Sequence, residues 1–216
     1  MKSVNISKVY EILKKQNLHA PVAELIAVYT KDPEKILMST ILSARTKDEV
    51  TAAASKRLFS KVNKIHDLNR LSEKQIQELI YPVGFYKTKA YHLKQLPAIL
   101  KEKFHGKIPE TIPGLLQLPG VGRKTANLVL ALAFHKPAIC VDVHVNRIMN
   151  RLGYVHTKTP LETEMALRKK LPMEYWEKIN SLFVAFGQTI CTPTSPHCST
   201  CPIKQYCNKV GVKTSR

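Results

Sequence analysis

The sequence predicts an all-α protein, and three observations carry that prediction. Apolar residues recur at three- and four-residue spacing along most of the 216 residues. Period-two alternation bounded by hairpin turns is absent, which argues against a sheet. Asp, Ser and Thr stand directly ahead of several apolar stripes, two of them followed by Pro, as helix N-termini require. The apolar fraction of 44%, with 8 Gly and 13 Pro, supplies a real core and excludes a disordered or low-complexity chain.

The first stripe, over residues 4–16, places Ile6, Val9, Tyr10 and Leu13 on one face. Stripes over 24–29, 36–42 and 49–59 follow, the second of them entered through Asp32-Pro33 ahead of Glu34. Ser72 caps a stripe over 73–80, and a longer one covers 88–104. A short helix around 113–117 leads into a Pro-Gly turn, after which a stripe covers 124–134. The remaining stripes run over 143–152, 161–171 behind Thr159-Pro160, and 175–186. Between two of them, Pro137-Ala138-Ile139-Cys140-Val141 resembles a strand but reads better as a buried connector, and a domain break could sit there. There is no tandem repeat and no long linker.

Lys plus Arg is 34 against 16 for Asp plus Glu, a formal charge of +18. A folded domain that basic carries the electrostatic footprint of a nucleic-acid binder, with a well-solvated basic surface as the plain alternative. The cations are spread along the whole chain rather than along one amphipathic helix, which weakens a membrane-surface reading. The longest unbroken apolar run, 128–134, is far below the roughly 20 residues a bilayer span needs. Met1-Lys2-Ser3-Val4 leads directly into helical patterning with no signal-peptide core, so an intracellular protein is expected.

Four of the five cysteines crowd the C-terminal region: Cys191, Cys198, Cys201 and Cys207, with gaps of six, two and five residues. Disulfides fit poorly with an intracellular chain. Four thiolates in so short a span can converge on one metal centre. Zinc is held by pairs two to four residues apart, and only Cys198 and Cys201 have that spacing. The wider outer arms suit a bulkier iron–sulfur cubane. Spacing by itself leaves cluster and zinc both open. Cys140, alone in an apolar run, reads as a buried inert thiol.

Leu118-Pro119-Gly120-Val121-Gly122-Arg123-Lys124-Thr125-Ala126 is the most informative stretch. Pro119 and the two glycines make a tight turn, and a helix follows at once. Gly120 and Gly122 allow backbone amides to approach a phosphate oxygen, and the positive end of the next helix adds to the attraction. With the helix before it, this is a helix-hairpin-helix that grips DNA without reading its sequence. Lys124 then has two readings. One is a further phosphate contact. The other is an amine nucleophile in the first helical turn beside Arg123, where helix dipole and like charge both disfavour the ammonium and supply the neutral amine a Schiff base needs. Asp142, in Val141-Asp142-Val143-His144-Val145-Asn146-Arg147, has the ordinary role of N-cap. It is also a candidate carboxylate to support positive charge developing on a sugar as its base departs.

Together these residues resemble the endonuclease III family, helix-hairpin-helix DNA glycosylases with a four-cysteine iron–sulfur loop. The match covers Leu42-Ser43-Ala44 with Asp48, Gly84-Phe85-Tyr86 with Lys89-Ala90, the hairpin through Asn127, Val141-Asp142 with His144 and Arg147, and the cysteine spacing. The resemblance implies two α-helical domains with a DNA-binding cleft between them: a six-helix barrel with the hairpin over 27–136, and an iron–sulfur cluster domain made of 1–26 and 137–216. It implies a bifunctional DNA glycosylase/AP lyase of base excision repair that removes oxidised pyrimidines, with Lys124 as nucleophile, Asp142 as assisting carboxylate, and the four cysteines holding a [4Fe-4S] cluster. DNA contacts are expected from Arg45, Phe85, Gly120, Val121, Gly122, Arg123, Thr125 and His144. The implied partner is double-stranded DNA with a damaged or abasic site, bound by a monomer in a prokaryotic cytoplasm.

Three departures bear on specificity. Relatives often carry Gln after Ser-Ala, where this chain has Arg45; that position fills the gap left by the flipped base, and Arg is a strong guanine partner. Phe85 replaces an aliphatic wedge and reads either as a stacking wedge or as a core aromatic. The 192–197 loop, Thr-Pro-Thr-Ser-Pro-His, offers only His197 for phosphate. Rival readings are a mismatch-directed uracil or thymine glycosylase of the same superfamily, a non-catalytic helix-hairpin-helix binder, and a redox-sensing iron–sulfur protein.

Overall fold

The computed structural model describes residues 3–16 and 32–216. Among these are ten α-helices, three short 3-10 helices and no strand. The stripe expected over 24–29 and the domain boundary expected at residue 27 lie outside the described residues. The chain divides into two compact units, Pro21–Ala138 and a second made of Met1–Ala20 with Ile139–Arg216.

In the Pro21–Ala138 unit, the helices Pro33–Ser43, Asp48–Phe59, Glu73–Ile80, Tyr86–Phe104, Ile112–Leu115 and Arg123–Phe134 share one core. Leu37, Leu42, Leu58, Ile76, Leu93 and Val129 are fully enclosed in it. Each such side chain is worth about 1.5–3 kcal/mol of burial, so this core dominates the unit's stability. Asp32 caps the first of these helices, its carboxylate accepting from Glu34 N at 2.9 Å. Ser72 and Gln75 form a reciprocal capping box at the start of Glu73–Ile80.

The second unit gathers Ile6–Lys14, Val143–Leu152, Pro160–Lys170 and Ile179–Thr189 around Leu13, Ile148, Met149, Phe183 and Phe186. The stripe expected over 175–186 divides instead into a 3-10 turn, Met173–Tyr175, and a helix that starts at Ile179 and runs on to Thr189. Trp176 explains the delay. Its indole N–H donates back to the Leu171 carbonyl (2.9 Å), while Tyr175 turns inward to meet the Tyr10 ring at 4.7 Å.

The 3-10 segments Ile65–Arg70 and Lys204–Tyr206 span six and three residues, too short for a helical stripe to be read, although Ile65 and Leu68 stand three apart and are buried. The first is built by a polar device: the Asp67 carboxylate accepts from the backbone N–H groups of Asn63 and Lys64. Residues 135–142 form an irregular connector, as expected, pinned by Asn180 Nδ2 donating to the Cys140 carbonyl (3.0 Å).

Candidate functional site

The hairpin is held from below. Thr111 caps the short Ile112–Leu115 helix through Gly114 N, and Leu118 N–H returns to the Leu115 carbonyl. Leu118 and Val121 sink into the core of their unit and fix the turn. Gly120 has φ +78°, a left-handed conformation, and a Cβ there would come within 2.9 Å of His92 Nδ1. Gly122 differs: nothing lies within 4 Å of its missing Cβ. Packing among the described residues therefore does not require glycine at 122.

Gly122 is the N-cap of Arg123–Phe134 and supplies no side-chain cap. A helix N-terminus whose N-cap is glycine presents backbone N–H groups and a positive dipole end, an arrangement suited to an anion. Lys124 is exposed in this first turn and Arg123 is half-buried. Val121 and Thr125 have buried side chains, which leaves only their backbone groups for the DNA contacts expected of them.

Asp142 is buried and caps Val143–Leu152, one carboxylate oxygen accepting from His144 N (2.8 Å) and Val145 N (3.0 Å). The cap holds the carboxylate in a single orientation against its own helix. His144 is half-buried, its Nδ1 lying 3.2 Å from Arg147. Gly187 lets these side chains in, since a Cβ there would stand 2.5 Å from His144 Nδ1 and 2.8 Å from Arg147.

Arg45 and Phe85, read separately in the sequence, are brought together. Both have left-handed backbones (φ 53° and 58°), and the Arg45 guanidinium lies 5.6 Å from the centre of the Phe85 ring. Phe85 is 62% exposed, which disposes of the core-aromatic reading. Gly84 has to be glycine, because a Cβ would stand 2.4 Å from the Arg45 carbonyl oxygen. The turn that carries Arg45 is bonded by Lys89, a buried residue of the Tyr86–Phe104 helix. Its ammonium donates to the Leu42 carbonyl (2.7 Å), the Thr46 hydroxyl (3.1 Å) and the Ala44 carbonyl.

The four cysteine thiols are free and line one cavity with Ile148, Leu152 and Phe186. Among the described residues no group of three or more His, Cys, Asp or Glu is placed to hold a single metal ion. Four sulfurs lining one space suit a polynuclear cluster in which each iron takes one sulfur. Burial pushes the Cys201 thiol up to about 11, with the other three sulfurs adding to the effect, and it raises Cys207 as well. Thiols so placed need a cationic centre to ionise, and the donor set fits an iron–sulfur group.

Sequence reading missed how the cluster loop is anchored. Arg151 donates to Cys191 Sγ (3.4 Å) and to the carbonyls of Thr192 and Pro193, while Arg147 donates to those of Gly187 and Cys191. Lys209 N–H donates to Cys207 Sγ at 3.3 Å. Arg216 folds back so that its guanidinium donates to the Ser195 carbonyl, placing a cation on the loop where the sequence offered only His197.

The family model for HhH-GPD superfamily base excision DNA repair proteins matches residues 38–173, and that for the iron–sulfur binding domain of endonuclease III matches residues 191–207. Endonuclease III of Thermotoga maritima is 48% identical over 82% of this chain and 83% of its own length. The chloroplastic endonuclease III homolog 2 of Arabidopsis thaliana is 46% identical over 80% of this chain, which spans about half (47%) of that protein. A trapped endonuclease III–DNA covalent intermediate, in an estranged-adenine complex, superposes with a TM-score of 0.81 at 32% identity, covering 96% of this chain and 97% of that one. No described helix is long and apolar enough to cross a membrane. The all-helical fold, the glycine hairpin and the four-thiol cavity therefore have one explanation: the chain belongs to the endonuclease III family of base excision DNA repair proteins, with an iron–sulfur loop at Cys191–Cys207.

Proposed function

We propose that this protein is a bifunctional DNA glycosylase and abasic-site lyase that excises oxidised pyrimidines from duplex DNA, acting as a cytoplasmic monomer with Lys124 as nucleophile. The observation that carries the reading is the placement of Lys124, exposed in the first turn of a helix whose N-cap is a glycine with open space where a Cβ would stand among the described residues. A phosphate gripped by the hairpin would bring the neighbouring deoxyribose within reach of that amine.

The chemistry follows from the side chain. A base inside a duplex is out of reach until it is flipped, at a cost of a few kcal/mol that is lower for damaged pairs. The neutral amine of Lys124 attacks C1′, the C1′–N bond breaks, and the base leaves with the bonding electrons and takes up a proton. Asp142 supports the positive charge that builds on the sugar during this step. Opening of the sugar ring converts the adduct to an imine between Lys124 and C1′. Loss of a C2′ proton then expels the 3′ phosphate by β-elimination, which nicks the strand, and water releases Lys124. A hydrolase that activates water has no use for an amine here.

Arg45 and Phe85 are read as the side chains that enter the duplex at the lesion, Phe85 stacking on bases and Arg45 facing the orphaned partner. The iron–sulfur cluster, when bound, cross-links the C-terminal loop through four sulfurs; Arg147 and Arg151 hold that loop on the Val143–Leu152 helix. A strand-nicking assay on duplexes carrying thymine glycol, uracil or a G·T mismatch tests the substrate. Nicking at thymine glycol that Lys124→Gln abolishes is expected; excision confined to the mismatches would favour the mismatch-directed reading, for which the exposed Arg45 is the supporting observation.

A further inference from the structure

Lys89 is 6% exposed and forms no salt bridge with any carboxylate among the described residues. An apolar side chain would fill such a position at lower desolvation cost, so the charge calls for a reason other than packing. Its geometry supplies one. The ammonium donates to the carbonyls of Leu42 and Ala44 and to the Thr46 hydroxyl, so all three of its N–H groups are directed at the turn that carries Arg45. That hydroxyl also accepts from Gly84 N (3.1 Å), directly before Phe85. A single buried cation thus ties together the two segments that present the exposed pair. Both members of the pair sit in left-handed backbone that a non-glycine residue leaves unless its surroundings hold it there.

We propose that Lys89 is a positioning residue, its ammonium locking the 42–46 turn against Gly84 so that Arg45 and Phe85 reach DNA as one preformed prong. The inference rests on the reading of those two side chains as DNA contacts, and it adds the group that arranges them. Lys89 touches no DNA. It acts by sparing the complex the cost of ordering two loops when the duplex binds.

A double-mutant cycle tests this, because a residue that acts through the prong must lose its effect when the prong is removed. Affinity is measured by fluorescence anisotropy for a duplex with a tetrahydrofuran abasic-site analogue and for the same duplex undamaged, using the full-length, cluster-loaded protein. Lys89→Met is expected to weaken binding to the abasic-analogue duplex by about tenfold in the parent protein, and by less than about twofold when Arg45 and Phe85 are both alanine. Affinity for the undamaged duplex should stay within about twofold throughout. Thr46→Val keeps Lys89 but removes the hydroxyl shared with Gly84. It should show a smaller, equally coupled loss, and it serves if Lys89→Met folds poorly.

Equal losses in the two backgrounds, or no loss in the parent, would overturn the proposal. The tetrahydrofuran sugar has no C1′ substituent to expel and cannot form the imine. The cycle therefore reads positioning independently of Lys124 chemistry, and a protein that couples in this cycle yet never nicks DNA would refute the proposed function alone.

Discussion

Arg45 and Phe85 lie far apart in the sequence, yet the guanidinium of one rests 5.6 Å from the ring centre of the other, each on a left-handed backbone. That conformation costs a non-glycine residue about 1–2 kcal/mol. Two such residues side by side, one with an aromatic ring mostly in solvent, spend stability on presenting side chains outward.

Exchanging Phe85 for glycine should therefore separate stability from activity. Phe85→Gly relieves the left-handed backbone and gives up little packing, so stability should hold or rise by up to about 1 kcal/mol, and the melting temperature should move the same way. Excision from duplex DNA should fall by about tenfold or more. Thermal denaturation and single-turnover nicking measure the two; a parallel fall in both would return Phe85 to an ordinary packing role.

Arg45 should set the preference for the opposite base. A bidentate Arg–guanine contact is worth about 1–3 kcal/mol of discrimination, so Arg45→Gln should lower the ratio of excision opposite guanine to that opposite adenine by about fivefold or more. Rates on four duplexes differing only in the opposite base give the ratio. Unchanged ratios would reject the role.

Lys89 gives a pH signature with a definite sign. Burial lowers its ammonium to about 8, whereas an unfolded lysine titrates near 10.5. Between those values the folded protein binds fewer protons than the unfolded chain, so this group's contribution to stability grows as pH rises from about 8 to 10.5 and is lost as pH falls through 8. The stability difference between the wild type and Lys89→Met, from denaturant titrations at pH 7, 8, 9 and 10, removes the titrations the two proteins share. It should move in favour of the wild type across that range, and a flat difference would contradict the buried-ammonium account.

The two classes of cysteine should part cleanly. Cys201→Ser removes one of four sulfurs lining the cavity and should abolish or sharply reduce bound iron, with loss of visible absorbance. Cys140→Ala changes a thiol buried in the connector and should leave iron content unchanged, with a stability cost of about 1 kcal/mol. Iron analysis and absorbance spectra of the purified proteins distinguish them.

Much of this was legible in the sequence because it obeys short-range rules. The stripes over 73–80 and 143–152 coincide with the observed helices, since a capping side chain and a 3.6-residue apolar period together fix a helix start and face. The glycine hairpin and the cysteine spacing are likewise local, and the all-α reading follows from the apolar periods and their caps. Long-range hydrogen bonds were not legible. Nothing near Lys89 in the chain announces that its acceptors are at Leu42, Ala44 and Thr46, and nothing near Arg216 announces Ser195. The late start of the Ile179–Thr189 helix was missed for the same reason: the Tyr10–Tyr175 ring contact and the Trp176 turn are tertiary events overriding a good local pattern.

The central claim is that the amine of Lys124 bonds to deoxyribose during the reaction. Borohydride reduction of a reaction mixture with damaged duplex, followed by protease digestion and mass spectrometry of the cross-linked peptide, tests it most directly. The account predicts a reduced deoxyribose adduct on Lys124 and no cross-link with Lys124→Gln. An adduct mapped to another amine, or strand nicking by wild-type protein with no adduct at all, would contradict it.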